Sequence, residues 1–198
     1  LNAWHDELPT VEDFSHLVLS GSTCSIVDDD EIVAPCCELV RKCVNAGRPV
    51  LGICYGHQMI ARALLGKSHV RRSLTPEAGW LEITTRDGHA DIFGKLGSRF
   101  FTFVGHFDEV CDLPPDWKVT AHSADCEIQG FVNDRMRIMG FQFHPEMDEQ
   151  TGNTCFVKDA AMLSEKGFDA EKIVADTRDD GSGRVLFRAF ADRWPVSL

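Results

Sequence analysis

Two short apolar runs, each followed by a helical pattern, are what most constrain the fold of this chain. The runs cover residues 14–20 and 49–53, the length of buried strands. Apolar residues between them recur at helical spacing over 32–44, behind three aspartates at 28–30 that can cap a helix. A second helix-forming segment follows at 57–65. Strand, helix, strand, helix predicts a parallel sheet covered by helices.

The chain changes character after this unit. Short strand candidates separated by Gly, Pro, Asn and Asp predict an additional antiparallel region; they cover 80–85, 99–105, 117–122, 126–133 and 136–143. The last part predicts helices over 150–163, 170–176 and 183–194. No repeat or linker interrupts the sequence, so we predict a single α/β domain over 1–198, with a mostly parallel central sheet.

Charge and hydropathy exclude several classes of partner. The 20 basic and 31 acidic residues give a net charge of -11, which repels nucleic acid and anionic lipid surfaces. We therefore expect no nucleic acid and no membrane as partners. No apolar run has the length of a membrane helix, and residues 1–6 lack the pattern of a signal peptide. These features favour a cytoplasmic protein.

Eight cysteines offer thiols but no metal motif. No two of them have C-x-x-C spacing. Disulfides form mainly in exported proteins, so we do not expect them in an acidic chain without an export signal. A zinc site would have to be assembled from scattered Cys and His, so we predict no metal and interpret most of these residues as buried thiols.

Cys54 stands in special surroundings among these cysteines. It is the centre of segment 52–56, Gly-Ile-Cys-Tyr-Gly, placed where a buried strand turns into a helix. Flanking glycines allow the tight turn that presents a nucleophile at a helix N-terminus. The helix dipole favours a thiolate there, and the Tyr55 N–H is placed to bind an oxyanion. The alternative is a buried cysteine in a tight turn.

A base for such a thiolate is offered by segment 144–146, His-Pro-Glu, after the strand candidate 136–143. In an extended segment residues i and i+2 point the same way, so Glu146 can orient the His144 ring. In the alternative interpretation, His144 covers a sheet edge and Glu146 is a solvated charge.

Together, segments 52–58 (Gly-Ile-Cys-Tyr-Gly-His-Gln) and 143–146 (Phe-His-Pro-Glu) resemble the class I glutamine amidotransferase family, in its GMP-synthase-like branch. The resemblance implies a three-layer, flavodoxin-like fold and a catalytic triad of Cys54, His144 and Glu146. It further implies that the loop with Gly21 and Ser22 gives the second oxyanion N–H. The family has two glycines and a proline there, whereas this chain has Gly-Ser-Thr, which leaves open whether the hole is preformed.

The resemblance also assigns a substrate pocket. Gln58, one helical turn after Cys54, would contact the amino acid end of the substrate. Segment 105–110, Gly-His-Phe-Asp-Glu-Val, resembles a family loop in which His106 and Asp108 line the pocket. In the alternative interpretations, Gln58 is an ordinary exposed polar residue and segment 105–110 is a plain turn after a strand.

The activity that the resemblance implies is hydrolysis of the side-chain amide of L-glutamine, with ammonia passed to a separate synthetase subunit. No metal or organic cofactor is needed for this half-reaction. A γ-glutamyl hydrolase or peptidase acting on another γ-glutamyl compound is one alternative, and a non-catalytic partner-binding domain is another. Family members begin with a strand and helix before the run at 14–20, and we expect these elements to be missing from this sequence.

Overall fold

The computed structural model describes residues 2–3 and 5–195, and within them seven strands form one sheet. The strands are β1 Leu17–Leu19, β2 Val50–Ile53, β3 Val70–Thr85, β4 Arg99–Val110, β5 Lys118–His122, β6 Gly130–Asn133 and β7 Ile138–Phe141. The helices are α1 Val33–Asn45, α2 Tyr55–Leu65, α3 Ala90–Phe93, α4 Glu149–Lys158, α5 Ala160–Glu165, α6 Ala170–Ala175 and α7 Ser182–Arg193. Short 3₁₀ turns lie at Lys67–His69 and Gly94–Leu96.

The sheet has the order β1-β2-β7-β6-β5-β3-β4. β1 and β2 are parallel, as expected for strands joined by the helix α1, and β2 is also parallel to β7. The pairs β7–β6, β6–β5, β5–β3 and β3–β4 are antiparallel. The predicted α/β fold with an antiparallel region is therefore confirmed, but the sheet is mixed rather than mostly parallel, because the later strands extend it.

Helices cover both faces of the sheet, which gives the three expected layers. Val50 of β2 and Ile138 of β7 are paired neighbours and pack in one cluster with α1 and α2. Their successors Leu51 and Met139 point to the other face and pack with α7. Because side chains alternate along a strand, each of these short buried strands contributes side chains to the hydrophobic cores on both faces of the sheet.

The longest deviation from the predicted elements is the β3–β4 hairpin. β3 begins at Val70 rather than at residue 80, and β4 continues to Val110, so the segment 105–110 belongs to a strand and not to a loop or turn. A register shift between Arg72 and Glu77 lets the pairing continue past the irregular stretch. The paired residues Arg71 and Glu109 add an ion pair of 2.7 Å.

Other boundaries differ by less. The strands predicted over 126–133 and 136–143 are shorter, and α2 begins at Tyr55 rather than at residue 57. The helix predicted over 150–163 is interrupted at Asp159. α1 begins without a side-chain cap, so the aspartates at 28–30 do not cap it. Six of the eight cysteines are buried and all eight are free thiols, as predicted for most of them.

Candidate active site

Cys54 occupies a sharp turn between β2 and α2. Its backbone has φ 50° and ψ −107°, a conformation that L-residues adopt rarely and that functional sites retain. Its N–H donates to Phe141 O of β7 over 2.8 Å, and its carbonyl accepts the N–H of Gln58 over 3.1 Å. The predicted turn is present, and it places the sulfur at the N-terminus of α2.

The two glycines around Cys54 make this turn possible. A Cβ atom built on Gly52 would lie 2.3 Å from Gly56 O, and one on Gly56 would lie 2.2 Å from Leu19 O. Both collisions are with backbone atoms, which cannot rotate away. The turn therefore depends on close packing of backbone against backbone, as the glycine-flanked motif predicts.

His144 and Glu146 form a hydrogen-bonded pair. The His144 Nδ1–H donates to Glu146 Oε1 over 2.7 Å, and the two side chains are 11% and 30% exposed. β7 ends at Phe141, and a bond from Met147 N–H to His144 O closes a turn around Pro145. The pair therefore arises in a turn, not in the extended segment that we predicted. The turn brings the carboxylate back to the ring.

The His144 ring also interacts with the side chain of Cys54. Burial lowers the pKa of His144, but the negative charge and hydrogen bond of Cys54, together with Glu146, raise that pKa to about 10. With Nδ1 committed to Glu146, Nε2 is the ring nitrogen left for the sulfur. An imidazole held between a cysteine sulfur and a carboxylate is the arrangement expected of a nucleophile, base and orienting group.

Gly21 lies directly against this arrangement. A Cβ atom at position 21 would lie 2.7 Å from His144 Cε1 and 3.5 Å from Cys54 Cβ. The Cys54 thiol is 3.6 Å from Gly105 O of β4. The three residues predicted as the triad are thus brought to one place, beside the loop that follows β1.

Ser22 and Tyr55 lie next to Gly21. Gly21, Ser22 and Tyr55 line one cavity of about 440 Å³, together with Gly56. Ser22 Oγ accepts the N–H of Cys24 over 3.1 Å, which holds the loop in a local turn. Tyr55 is the first residue of α2, where backbone N–H groups have no intrahelical acceptor. The structure therefore places all three predicted oxyanion-hole residues beside the Cys54 turn.

Gln58 is buried rather than exposed, which removes the alternative of an ordinary surface residue. Its Nε2 donates to Asp108 O over 2.8 Å and to Gln142 Oε1 over 3.0 Å. Both amide hydrogens are used by the protein. Its part in substrate binding remains a prediction.

Asp108 is buried and bonded to the loop after Ser22. Its Oδ2 accepts the hydroxyl of Ser25 and, over 2.9 Å, the N–H of Ile26. Its Oδ1 lies 3.2 Å from Arg72, which also pairs with Asp28. The carboxylate holds this loop against β4, and its predicted contact with a substrate ammonium group remains untested.

His106 is placed in the core. Its Nδ1 lies 3.0 Å from Asp108 O and its Nε2 lies 2.9 Å from Glu77 Oε2, with the side chain fully buried. The ring therefore faces β3, and its predicted role in lining the pocket remains untested.

Phe103 is a site residue that the sequence did not indicate. Its carbonyl accepts the N–H of His144 over 2.9 Å, and its ring meets the imidazole edge-on at 5.3 Å. On its other side it stacks on Phe156 of α4 at 4.4 Å. Phe103 is one of several aromatic residues in β4, and only the pairing of the folded chain distinguishes it.

Fold and site together define a class of protein: an α/β protein with a cysteine in a nucleophile turn and a His–Glu pair beside it. Residues 2–163 match the family model described as "Glutamine amidotransferase class-I". The chain belongs to the class I glutamine amidotransferase family, an enzyme family, and the assignment made from its sequence motifs is confirmed.

Relatives and solved structures agree with this family. The glutamine-hydrolyzing GMP synthase subunit of Methanococcus vannielii is 32% identical over 142 residues, which are 72% of this chain and 69% of that protein. The corresponding GMP synthase subunit of Thermococcus kodakarensis is 40% identical over 99 residues, 50% of this chain and 51% of that one. A glutamine amidotransferase structure from Thermotoga maritima superposes with a TM-score of 0.76 at 25% identity, covering 95% of this chain and 81% of that one.

The chain spans only part of some relatives. It covers 25% of the GMP synthase of Thermosynechococcus vestitus and 51% of the Thermococcus kodakarensis protein. Among the described residues, none of the helices has the length and apolar character needed to cross a membrane.

Proposed function

We propose that this protein hydrolyses the side-chain amide of L-glutamine to glutamate and ammonia. The observation that carries the proposal is the convergence of Cys54, His144 and Glu146, with His144 bonded to Glu146 Oε1 over 2.7 Å and its pKa raised by the neighbouring Cys54. Family membership and relatives described as glutamine-hydrolyzing support the choice of substrate.

The first half of the reaction forms a thioester. The Cys54 thiolate attacks the side-chain amide carbon of glutamine, and the backbone N–H groups of Ser22 and Tyr55 hold the resulting oxyanion. The C–N bond then breaks while the His144 imidazolium gives its proton to the departing nitrogen. Ammonia and a γ-glutamyl thioester on Cys54 are the products of this step.

The second half releases glutamate. Neutral His144 removes a proton from water, and the resulting hydroxide attacks the thioester carbonyl, again through an oxyanion. The C–S bond breaks, glutamate leaves, and the thiolate–imidazolium pair is restored. Glu146 keeps Nδ1 protonated throughout, so Nε2 does the proton transfer.

The ammonia is passed, in this proposal, to a separate synthetase. Support comes from the relatives described as one subunit of GMP synthase, because that description implies a second subunit. The cytoplasmic location and the single-domain organisation expected from the sequence stay predictions. A protein that copurifies with the chain, or a synthetase encoded beside it, would name the acceptor.

The test is glutamate release by the wild type and by Cys54→Ala, with Cys111→Ala as a second buried-cysteine variant away from the turn. We expect Cys54→Ala to lose turnover while keeping the wild-type melting temperature, and Cys111→Ala to keep turnover. Full turnover by Cys54→Ala would overturn the proposal. Assays of γ-glutamyl dipeptides beside glutamine distinguish a glutaminase from a γ-glutamyl peptidase. Strong turnover of the dipeptides with negligible turnover of glutamine would overturn the glutaminase proposal and favour the peptidase.

A further inference from the structure

A second cluster of chemically reactive side chains lies in the core, apart from Cys54 and His144. Glu77 of β3, His106 of β4 and Cys126 of the segment before β6 are all buried, at 4%, 2% and 2% exposure. One donor atom from each lies within 4.8 Å of the other two. A carboxylate, an imidazole and a thiol are the three side-chain types that zinc binds most often.

The hydrogen bonds of His106 fix its tautomer. Nδ1 lies 3.0 Å from the carbonyl oxygen of Asp108, which can only accept, so Nδ1 carries a hydrogen. In a neutral ring the other nitrogen, Nε2, then has a lone pair, and it points at Glu77 Oε2 from 2.9 Å. Two lone pairs facing each other in a buried site repel. A positive species, either a proton or a metal ion, must therefore lie between these two atoms.

Two features around the pair favour a metal ion. A metal-bound histidine usually donates its other ring N–H to a backbone carbonyl or carboxylate, which is the bond that His106 makes to Asp108. In addition, Gln129 is fully buried and donates through Nε2 to Glu77 Oε2 over 2.7 Å, whereas its Oε1 has no hydrogen-bond partner. Gln129 thus contacts Glu77 through its nitrogen and carries an unsatisfied buried oxygen on the same amide.

We propose that Glu77, His106 and Cys126 bind a zinc ion that ties β3 and β4 to the segment before β6. Binding releases the Cys126 thiol proton and the proton shared by His106 and Glu77. One carboxylate and one thiolate then neutralise the divalent ion, so the buried complex carries no net charge. Tetrahedral nitrogen and oxygen ligands of zinc lie about 3.4 Å apart, so the 2.9 Å between Nε2 and Oε2 has to open by about half an ångström.

The role of this ion is structural. The cluster is buried from solvent, so no substrate reaches it. However, β4 also carries Gly105, whose oxygen lies 3.6 Å from the Cys54 sulfur, and Phe103, which contacts His144. By holding β4 against β3, the ion would fix the positions of Gly105 and Phe103 beside Cys54 and His144. The spacing of residues 77, 106 and 126 matches no metal motif, which is why the sequence did not predict this site.

The first test is the metal content of the protein purified with zinc and then dialysed. We expect about one zinc per chain in the wild type, in Cys111→Ser and in Cys54→Ala, and at least tenfold less in Cys126→Ser. Cys111 is a buried cysteine whose thiol bonds to Ser68 O, so it controls for the loss of a thiol from the core. Cys54→Ala excludes a metal held by the thiol and imidazole of the candidate active site.

The second test needs no variant. Cobalt(II) added to metal-free wild type should give a thiolate-to-cobalt charge-transfer band and the strong visible bands of tetrahedral coordination. Cys54→Ala should give the same spectrum. Absence of the charge-transfer band, or equal zinc in the wild type and in a folded Cys126→Ser, would overturn the proposal and leave a proton between His106 and Glu77. The cobalt result decides the matter even where Cys126→Ser fails to fold.

Discussion

Gly21 and His144 approach each other so closely that a Cβ atom at position 21 would lie 2.7 Å from the imidazole Cε1. The nearest atom belongs to a side chain that can rotate, not to the backbone. A methyl group at position 21 can be accommodated if the His144 ring moves, and such a movement changes the position of the ring relative to the Cys54 sulfur. Substitution at this position should therefore affect activity more than stability.

We accordingly expect Gly21→Ala to lower kcat for glutamate release by about 100-fold, because displacing a reacting group by about 1 Å costs that much. The melting temperature should stay close to that of the wild type. Ser20→Ala is the matched control, one residue earlier and exposed, and should keep full activity. A wild-type kcat in Gly21→Ala would show that the close approach of residue 21 to the His144 ring does not affect catalysis.

Glu146→Gln tests the electrostatics of the imidazole through the pH profile. Cys54 and Glu146 raise the pKa of His144 to about 10, against the lowering effect of burial. Since the protonated ring donates its proton to the departing amide nitrogen, kcat/KM should fall as the pH rises through this value. Removing the Glu146 charge lowers the pKa, so the alkaline limb should move to lower pH by about one unit or more.

Steady-state rates between pH 6 and about pH 11 measure the limb. Glu149→Gln, an exposed carboxylate on α4, removes the same charge nearby and should leave the limb in place. An unchanged limb in Glu146→Gln would mean that Glu146 does not set the protonation of His144.

Gly56→Ala tests the packing of the turn. The added methyl group would lie 2.2 Å from Leu19 O, and the backbone of β1 cannot rotate away. Alanine is otherwise the better helix residue, so any loss of stability is due to the collision. We expect a loss of about 3 kcal/mol or more in the free energy of unfolding, measured by urea denaturation.

Gly47→Ala provides the comparison for that loss. Nothing lies within 4 Å of its added Cβ atom, and only its φ of 67° is unfavourable, which costs about 1 kcal/mol. Equal losses in the two variants would show that the approach of Gly56 to β1 does not limit stability.

Short segments of the sequence predict the centre of the candidate site. The turn at Cys54 depends on glycines within two residues of it, and the His144–Glu146 pair spans three positions, so both could be predicted locally. The order of strands and helices up to α2 follows from apolar periodicity in the same way. These are features in which neighbours along the chain are also neighbours in space.

Contacts between distant segments could not be predicted in this way. Phe103 contacts His144 only because β4 pairs with the segment after β7, and His106 faces Glu77 only through the register of β3 with β4. That register in turn depends on the irregularity between residues 72 and 77, and the pattern of apolar residues in the sequence does not predict this irregularity. For the same reason the sequence predicts a mostly parallel sheet, whereas four of the six neighbouring strand pairs are antiparallel.

The most direct test of the proposed nucleophile is covalent labelling by a glutamine-like chloroketone, followed by peptide mass mapping. We predict one label per chain, on Cys54, slowed by glutamine and strongly slowed in His144→Ala. Labelling of the half-buried Cys24 and Cys155 in the folded protein, with Cys54 unmodified, would contradict the assignment of Cys54 as the nucleophile.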